Sequence, residues 1–403
     1  MPAHMDVLLH VLLTLAAIIA LGRVLALALR WLHQPPVIGD ILAGILLGPS
    51  LIGVEASHVL LPAAAAPALG QIAQLGVILY MFLVGLESNL GGGERLRQTV
   101  FISSAGMALP FALGLALAAF LHPRLSDPSV PVAHFALFMG VALSVTAFPV
   151  LARILADRGL QKTPLGMMAL DCAAVGDAAA WCVLAAVAGV VNAGSSGLRV
   201  TLDAVGYVVV MLAVVRPLMR SWVSKLDTAP GNAVLAIAMI ACLLSAAATE
   251  WIGIHALFGA FLMGVLIPHD SAMARTLDRR LNDVVGAVFL PAFFAWAGLR
   301  TQINLVHGAD QWLLAGLIIL AATLGKFGGV AAAARISGFN WRESAILGAL
   351  MNTRGLMELI VLNIGLDLGV ISPTLYSMLV LMALATTMAT APTIRWLGLR
   401  AAS

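Results

Sequence analysis

Apolar runs long enough to cross a bilayer recur along the whole 403-residue chain, and they leave few folds open to it. A helix crossing the hydrocarbon core needs about 20 predominantly apolar residues. Thirteen runs meet or approach that length: approximately 6–29, 37–53, 68–87, 98–121, 132–154, 164–191, 200–220, 230–250, 253–268, 283–299, 311–334, 343–364 and 374–397. The second and ninth are short, and the connection between the eighth and ninth can be a simple turn. Charged residues make up only 10% of the chain, against about 25% in soluble domains. The expected fold class is an all-α polytopic membrane protein with about 13 transmembrane helices. The net charge of +3 is small and the basic residues fall in loops, so nucleic acid is not an expected partner. Cys172, Cys182 and Cys242 lie in apolar runs at no metal-ligand spacing and read as small core residues. The N-terminus lacks a cationic n-region and a small-residue cleavage site, so the first run reads as a retained helix. No soluble domain of useful length is expected before or after the membrane part.

Loop lysines and arginines orient the spans. With the N-terminus outside, the inner loops hold Arg30, Arg95, Arg97, Arg153, Arg158, Lys162, Arg216, Arg220, Lys225, Arg275, Arg279, Arg280, Arg335, Arg342, Arg395 and Arg400. The outer loops hold Arg124, Arg199 and Arg300. This bias places the C-terminus in the cytoplasm, in what reads as a cell (inner) membrane. Of the remaining basic residues, Arg23, Lys326 and Arg354, the last two fall within spans. An odd number of spans permits two inverted halves around a linker helix.

Two spans carry interruptions. The fifth contains Ser144-Val-Thr-Ala-Phe-Pro149, where the proline removes one backbone bond and exposes carbonyls. The twelfth contains Met351-Asn-Thr-Arg-Gly355, polar residues and a glycine in mid-span. Each alone is an ordinary kink. Together, near matching positions and rich in hydroxyls or amides, they read as broken helices whose ends and free carbonyls can hold an ion.

Charges inside the runs are expensive and functional by default. Asp177 stands thirteen residues into the sixth run, near its middle, and Asp171 six residues earlier. That separation is about 9 Å along the axis and about 120° around it, so the two need not share a site. Lys326 falls slightly cytoplasmic of the middle of the eleventh run, at a depth between the two aspartates, and its long stem can reach either. Arg354 precedes Glu358 by four residues, a spacing for a structural pair on one helix. Glu250 and His255 flank the outer turn, where His255 reads as making a structural hydrogen bond. A carboxylate excluded from water favours its protonated form, and a bound cation favours the ionised one. One aspartate can then hold a proton or a cation but not both, which couples the two flows.

Several stretches together resemble the cation:proton antiporter-2 family, in its Kef/CHX-like branch. They are Gln34-Pro-Pro-Val-Ile-Gly-Asp-Ile-Leu-Ala-Gly-Ile-Leu-Leu-Gly-Pro-Ser50, Phe82-Leu-Val-Gly-Leu-Glu87, Ser144-Val-Thr-Ala-Phe-Pro-Val-Leu-Ala-Arg-Ile-Leu155, Gly253-Ile-His-Ala-Leu-Phe-Gly-Ala-Phe261 and Met351-Asn-Thr-Arg-Gly-Leu-Met-Glu-Leu-Ile-Val-Leu-Asn-Ile-Gly365. The resemblance covers nearly the whole chain. It implies a sodium/proton antiporter-like fold of inverted repeats with two crossed broken helices. Residues 1–90 and 230–300 would form dimerisation panels, 98–192 and 311–398 the transport core, and 200–220 a linker helix. It further implies a homodimer, an elevator-like core movement, Na+ or K+ exchanged for H+, and no cofactor. Asp177 would carry ion or proton and Lys326 would be the core lysine. Thr146, Asn352 and Thr353 would lie at the crossing, with Ser144 and Asp171 beside them and Arg354 and Glu358 as charge partners.

One departure is expected to matter. The family usually has Asn or Asp before its essential aspartate, and this chain has Gly176. Asp171 is expected to take that place from the cytoplasmic side and to lie within ion-pair reach of Lys326 in at least one state. Gating through the nucleotide-binding domain of glutathione-gated relatives is not expected. Two other classes compete. A cation channel would use the same charges, and an intramembrane aspartyl protease has a signature that Val175-Gly176-Asp177 partly matches, although Ala174 stands where its first glycine should be.

Overall fold

The computed structural model describes residues 3–31, 34–53, 55, 57, 59, 61–87, 94–161, 163–193, 197–226, 231–268 and 271–398. Lys162 and Arg400, both counted as inner-loop charges, lie outside the described residues. The regular structure of the described residues is helical. The first half runs α1 (Ala3–Arg30), α2 (Pro36–Leu47), α3 (Ala66–Glu87), α4 (Glu94–Leu125), α5 (Val132–Ser144), α6 (Phe148–Asp157) and α7 (Pro164–Ala193). Then α8 (Gly197–Val210) continues through a π turn, Met211–Val215, into α9 (Arg216–Leu226). The second half runs α10 (Gly231–Ile252), α11 (Ala256–Leu266) and α12 (Ala272–Val284), a π turn at Val285–Phe289, then α13 (Leu290–Leu299). It ends with α14 (Gly308–Ile336), α15 (Trp341–Met351), α16 (Leu356–Asp367) and α17 (Pro373–Trp396).

Among the described residues nine helices are long and apolar enough to cross a membrane, or ten if the bent pair α15 and α16 forms one span. The second, fifth and ninth expected runs hold shorter apolar helices of 12, 13 and 11 residues. Apolar composition runs on past helix ends where chain breaks do not interrupt it, so the thirteen runs overstate what helix length alone supports. The eighth and ninth runs are joined by a tight turn, with positive φ at Gly253 and His255. Glu250 Oε2 accepts from Ala256 N–H at 2.8 Å and so caps α11, satisfying one of the donors a helix start leaves open.

The chain divides into two compact units. One comprises 1–19, 60–89 and 185–296. Within it α3 packs on α11, and α11 on α10. The α3–α11 approach is made by glycines: a Cβ on Gly85 would come within 2.2 Å of Phe261 O. Small residues at such crossings let backbones touch where lipid provides no hydrophobic drive. The other unit comprises 20–59, 90–184 and 297–403. Here α4 packs along α5 and α14, and α14 also meets α15 and α17. A buried apolar cluster with Leu151, Ile154, Met168, Cys172, Val330 and Leu350 joins α6 to α7, α14 and α15. Cys172 and Cys242 are buried, whereas Cys182 is exposed rather than in the core. An apolar side chain on a span has no need to avoid the outside of the protein when that side faces lipid.

Candidate ion-binding site

The fifth run does break. α5 stops at Ser144, Val145 is extended, and α6 starts at Phe148 with Pro149 as its second residue. Proline fits there because the first turn has no use for its missing N–H. The twelfth run breaks at Asn352-Thr-Arg-Gly355, and α15 and α16 are bent by 45° across it. The two breaks touch: Ala147 N–H donates to Thr353 O at 3.1 Å. Gly355 is required for this approach, because a Cβ there would come within 2.7 Å of Val150 Cγ2.

A helix ending in the interior leaves four carbonyls without partners and a partial negative charge. All four of α5 are answered. Val141 O accepts from Ser144 Oγ at 2.9 Å. Ala142 O and Leu143 O accept from the two terminal nitrogens of Arg354 at 3.0 and 2.6 Å. Ser144 O accepts from Lys326 Nζ. Two buried cations, each 1% exposed, thus face one helix end. Arg354 also donates to Glu358 Oε2 at 2.7 Å, the expected local pair. Glu358 lies in the first turn of α16, where the helix field favours an anion. Thr387 of α17 holds the second break. Its hydroxyl accepts from Arg354 N–H at 2.9 Å and donates to Arg354 O at 2.6 Å. Thr353 Oγ1 donates to Thr390 Oγ1 at 3.3 Å.

Asp177 is 2% exposed. The Phe148 N–H at the start of α6 bears on its carboxylate, as does the charge of Lys326. Neither carboxylate oxygen, however, has a hydrogen-bond partner among the protein groups, and the same holds for Thr146 Oγ1 and Asn352 Oδ1. Buried polar atoms are normally paired. These four oxygens, from α7 and the two breaks, are of the hard oxygen type that suits a monovalent cation.

Of the expected ligands, Asp177, Thr146 and Asn352 keep open oxygens. Ser144 and Thr353 donate their hydroxyl protons to Val141 O and Thr390 Oγ1 and so help hold the breaks. The expected Lys326–Asp171 pair is not formed in this structure. Lys326 holds Ser144 O, and the charges acting on it are Arg354, Asp177 and Glu358. Asp171 is half-buried with an interaction of its own. The physical reason is the pull of the α5 carbonyl end on the ammonium: Lys326 is held there, and of the two aspartates, which project about 120° apart, Asp177 is the one whose charge bears on it. Gly176 faces α4, where a Cβ would meet only Ser103 Oγ, at 3.1 Å. Thr387 and Thr390 escaped the sequence reading. Their signal was the hydroxyl-rich stretch Thr386-Thr-Met-Ala-Thr390 in an otherwise apolar span.

Residues 13–399 match the family described as sodium/hydrogen exchanger, transmembrane. The chain is 41% identical over 398 residues to the Na+/H+ antiporter NhaS4 of Synechocystis, covering 96% of this chain and 97% of that protein. It is 41% identical to the cation/H+ antiporter 20 of Arabidopsis thaliana, covering 94% of this chain but only 47% of that longer protein. The solved structure of the sodium proton antiporter MjNhaP1 from Methanocaldococcus jannaschii superimposes with a TM-score of 0.72 at 14% identity, covering 97% of this chain and 98% of that one. The fold is therefore that of a sodium/proton antiporter, and the chain belongs to the sodium/hydrogen exchanger family.

Proposed function

We propose that this protein exchanges a monovalent cation, Na+ or K+, for protons across a membrane, with Asp177 carrying either ion or proton in turn. The observation that carries the reading is the buried Asp177 carboxylate with both oxygens open, set against the start of α6, where the two breaks that carry the open oxygens of Thr146 and Asn352 touch. Lys326 and Arg354 donate to helix-end carbonyls, and neither is hydrogen-bonded to the Asp177 carboxylate. A cation and a proton then compete for one carboxylate. The relatives named as Na+/H+ and cation/H+ antiporters support the same exchange. Alternating access would follow the elevator pattern, with the unit that holds Asp177 moving between two exposures, in a homodimer in the cell membrane with its N-terminus outside. The cargo is the ion itself, and no cofactor enters the reading.

Two other classes are separable. A protease would need a second aspartate facing Asp177, and the charged side chain acting on it is Lys326. A channel would give single-channel currents, where exchange gives a saturable flux coupled to pH. The test is dequenching of a pH dye in proteoliposomes, with Na+, K+ and Li+ added in turn. Exchange by the wild type and its loss in Asp177→Asn, with the protein still extractable as a folded species, is the expected result. Substantial exchange by the variant removes Asp177 from the mechanism.

A further inference from the structure

Trp181 lies four residues after Asp177 on α7 and is 4% exposed. Its indole Nε1 is a donor with no hydrogen-bond partner among the protein groups. An indole nitrogen can only donate, and a buried one normally finds an acceptor. The Asp177 oxygens can only accept when ionised, and both are also without partners. Residues four apart share a helix face, with Cβ atoms about 5–6 Å apart. Long and aromatic helix side chains lean back toward the N-terminus, over the preceding turn. For Trp181 that preceding turn is the one that carries Asp177. An unmatched donor and an unmatched acceptor therefore occupy successive turns of one face, inside the protein.

We infer that the Trp181 indole N–H is a positioning group for the ion site, donating to the ionised Asp177 carboxylate directly or through one water. This deepens the exchange reading and rests on it. The bond does not exist in the present structure. It forms when the carboxylate carries charge without its ion, the state in which a buried anion most needs a donor. The other groups facing that carboxylate are Lys326 on α14 and the Phe148 N–H at the start of α6. Arg354 and Glu358 act behind Lys326. Ser103 on α4, beside Gly176, is polar but uncharged. Asp171 shares α7, six residues earlier, and has an interaction of its own. None of these substitutes for a donor on the turn that follows Asp177.

A donor that bonds only the ionised form favours that form. Its removal lets the carboxylate keep a proton to higher pH, and the cation, which needs the ionised form, then competes less well. Two variants isolate the N–H. Trp181→Phe removes it with part of the ring, and incorporation of 3-benzothienylalanine at position 181 replaces it with sulfur while keeping the ring shape. In the proteoliposome dye assay with Na+ and with K+, both should move the pH–activity profile alkaline by about one unit. The apparent KM for the cation near neutral pH should rise about tenfold. The maximal rate at alkaline pH and saturating cation should be retained. Profiles and KM values that overlay the wild type, or a fall confined to the maximal rate, would assign Trp181 to packing alone and overturn the inference while leaving exchange intact. A wild-type protein that moves no protons on cation addition overturns the exchange reading itself, and this inference with it.

Discussion

Arg354 is the most heavily committed side chain of the site. It bonds two α5 carbonyls and Glu358, and it is 1% exposed. Arg354→Ala would leave Glu358 as a buried charge without its partner and two carbonyls without donors. Losing one partner of a buried pair costs about 3–5 kcal/mol, so the variant should show a clear loss of thermal stability in detergent. Arg354→Lys should not restore it, since an ammonium lacks the planar fork that reaches three oxygens. The Arg354→Ala/Glu358→Ala double variant should lose less than the sum of the singles, because it strands no charge. Additive losses would show that the two side chains act separately. At this scale the sequence was informative where a charge interrupts an apolar run, as at Asp177, Lys326, Arg354 and Glu358. The i, i+4 spacing also named the Arg354–Glu358 pair correctly. It was uninformative about which neighbour a long side chain selects. The depth of Lys326 matched both aspartates, and only the position of the α5 carbonyls shows why the lysine turns to Ser144. Thr387 was missed for another reason. A threonine in a membrane span commonly bonds its own helix, and the hydroxyl-rich stretch around it does not show that this one spans the neighbouring break.

The two breaks form one element, since each supplies what the other lacks. The first presents carbonyls and an open N–H at Ala147. The second presents a guanidinium, a carbonyl at Thr353 and a glycine where the chains cross. Gly355→Ala should therefore be destabilising, by about 1–3 kcal/mol for overpacking, because its Cβ meets Val150 Cγ2 at 2.7 Å. Val150→Ala in the same chain should recover much of that loss by removing the atom that is struck. If Gly355→Ala melts with the wild type, the crossing is looser than the structure shows. The same check can be read in function, since a displaced crossing also shifts Thr146 and Asn352. Proline and glycine made both breaks legible in the sequence. Their contact was not legible, because a break says where a helix ends and not what faces the end. The short second, fifth and ninth helices were also hard to delimit, since the apolar composition of those runs extends past the residues that are helical.

Across the whole molecule, coupling depends on how many protons the site exchanges for one cation. Among the described residues, Asp177 is the buried carboxylate with both oxygens open, while Glu358 is paired with Arg354 through one oxygen and keeps the other open. Lys326 is the other candidate proton carrier, and it donates to Ser144 O at the end of α5. A neutral amine would still donate to that carbonyl, but it would leave the partial negative charge of the α5 end without a facing ammonium. Gly176 contributes no further polar group beside Asp177, and the surroundings of that glycine reach only Ser103. One cation should then exchange for one proton, with no net movement of charge. Wild-type exchange in proteoliposomes, with Na+ as the transported ion, should accordingly proceed at the same rate with or without an imposed membrane potential. An exchange rate that follows the sign of the potential would require a second titrating group, with Lys326 the first to test. Gly176→Asn provides the complementary arm. A Cβ there meets only the rotatable Ser103 hydroxyl, at 3.1 Å, so retained folding of the variant is expected and is checked first by its thermal stability in detergent. A second polar group beside Asp177 can compete for Lys326 and loosen its hold on Ser144, and any dependence on potential should therefore be larger in that variant than in the wild type.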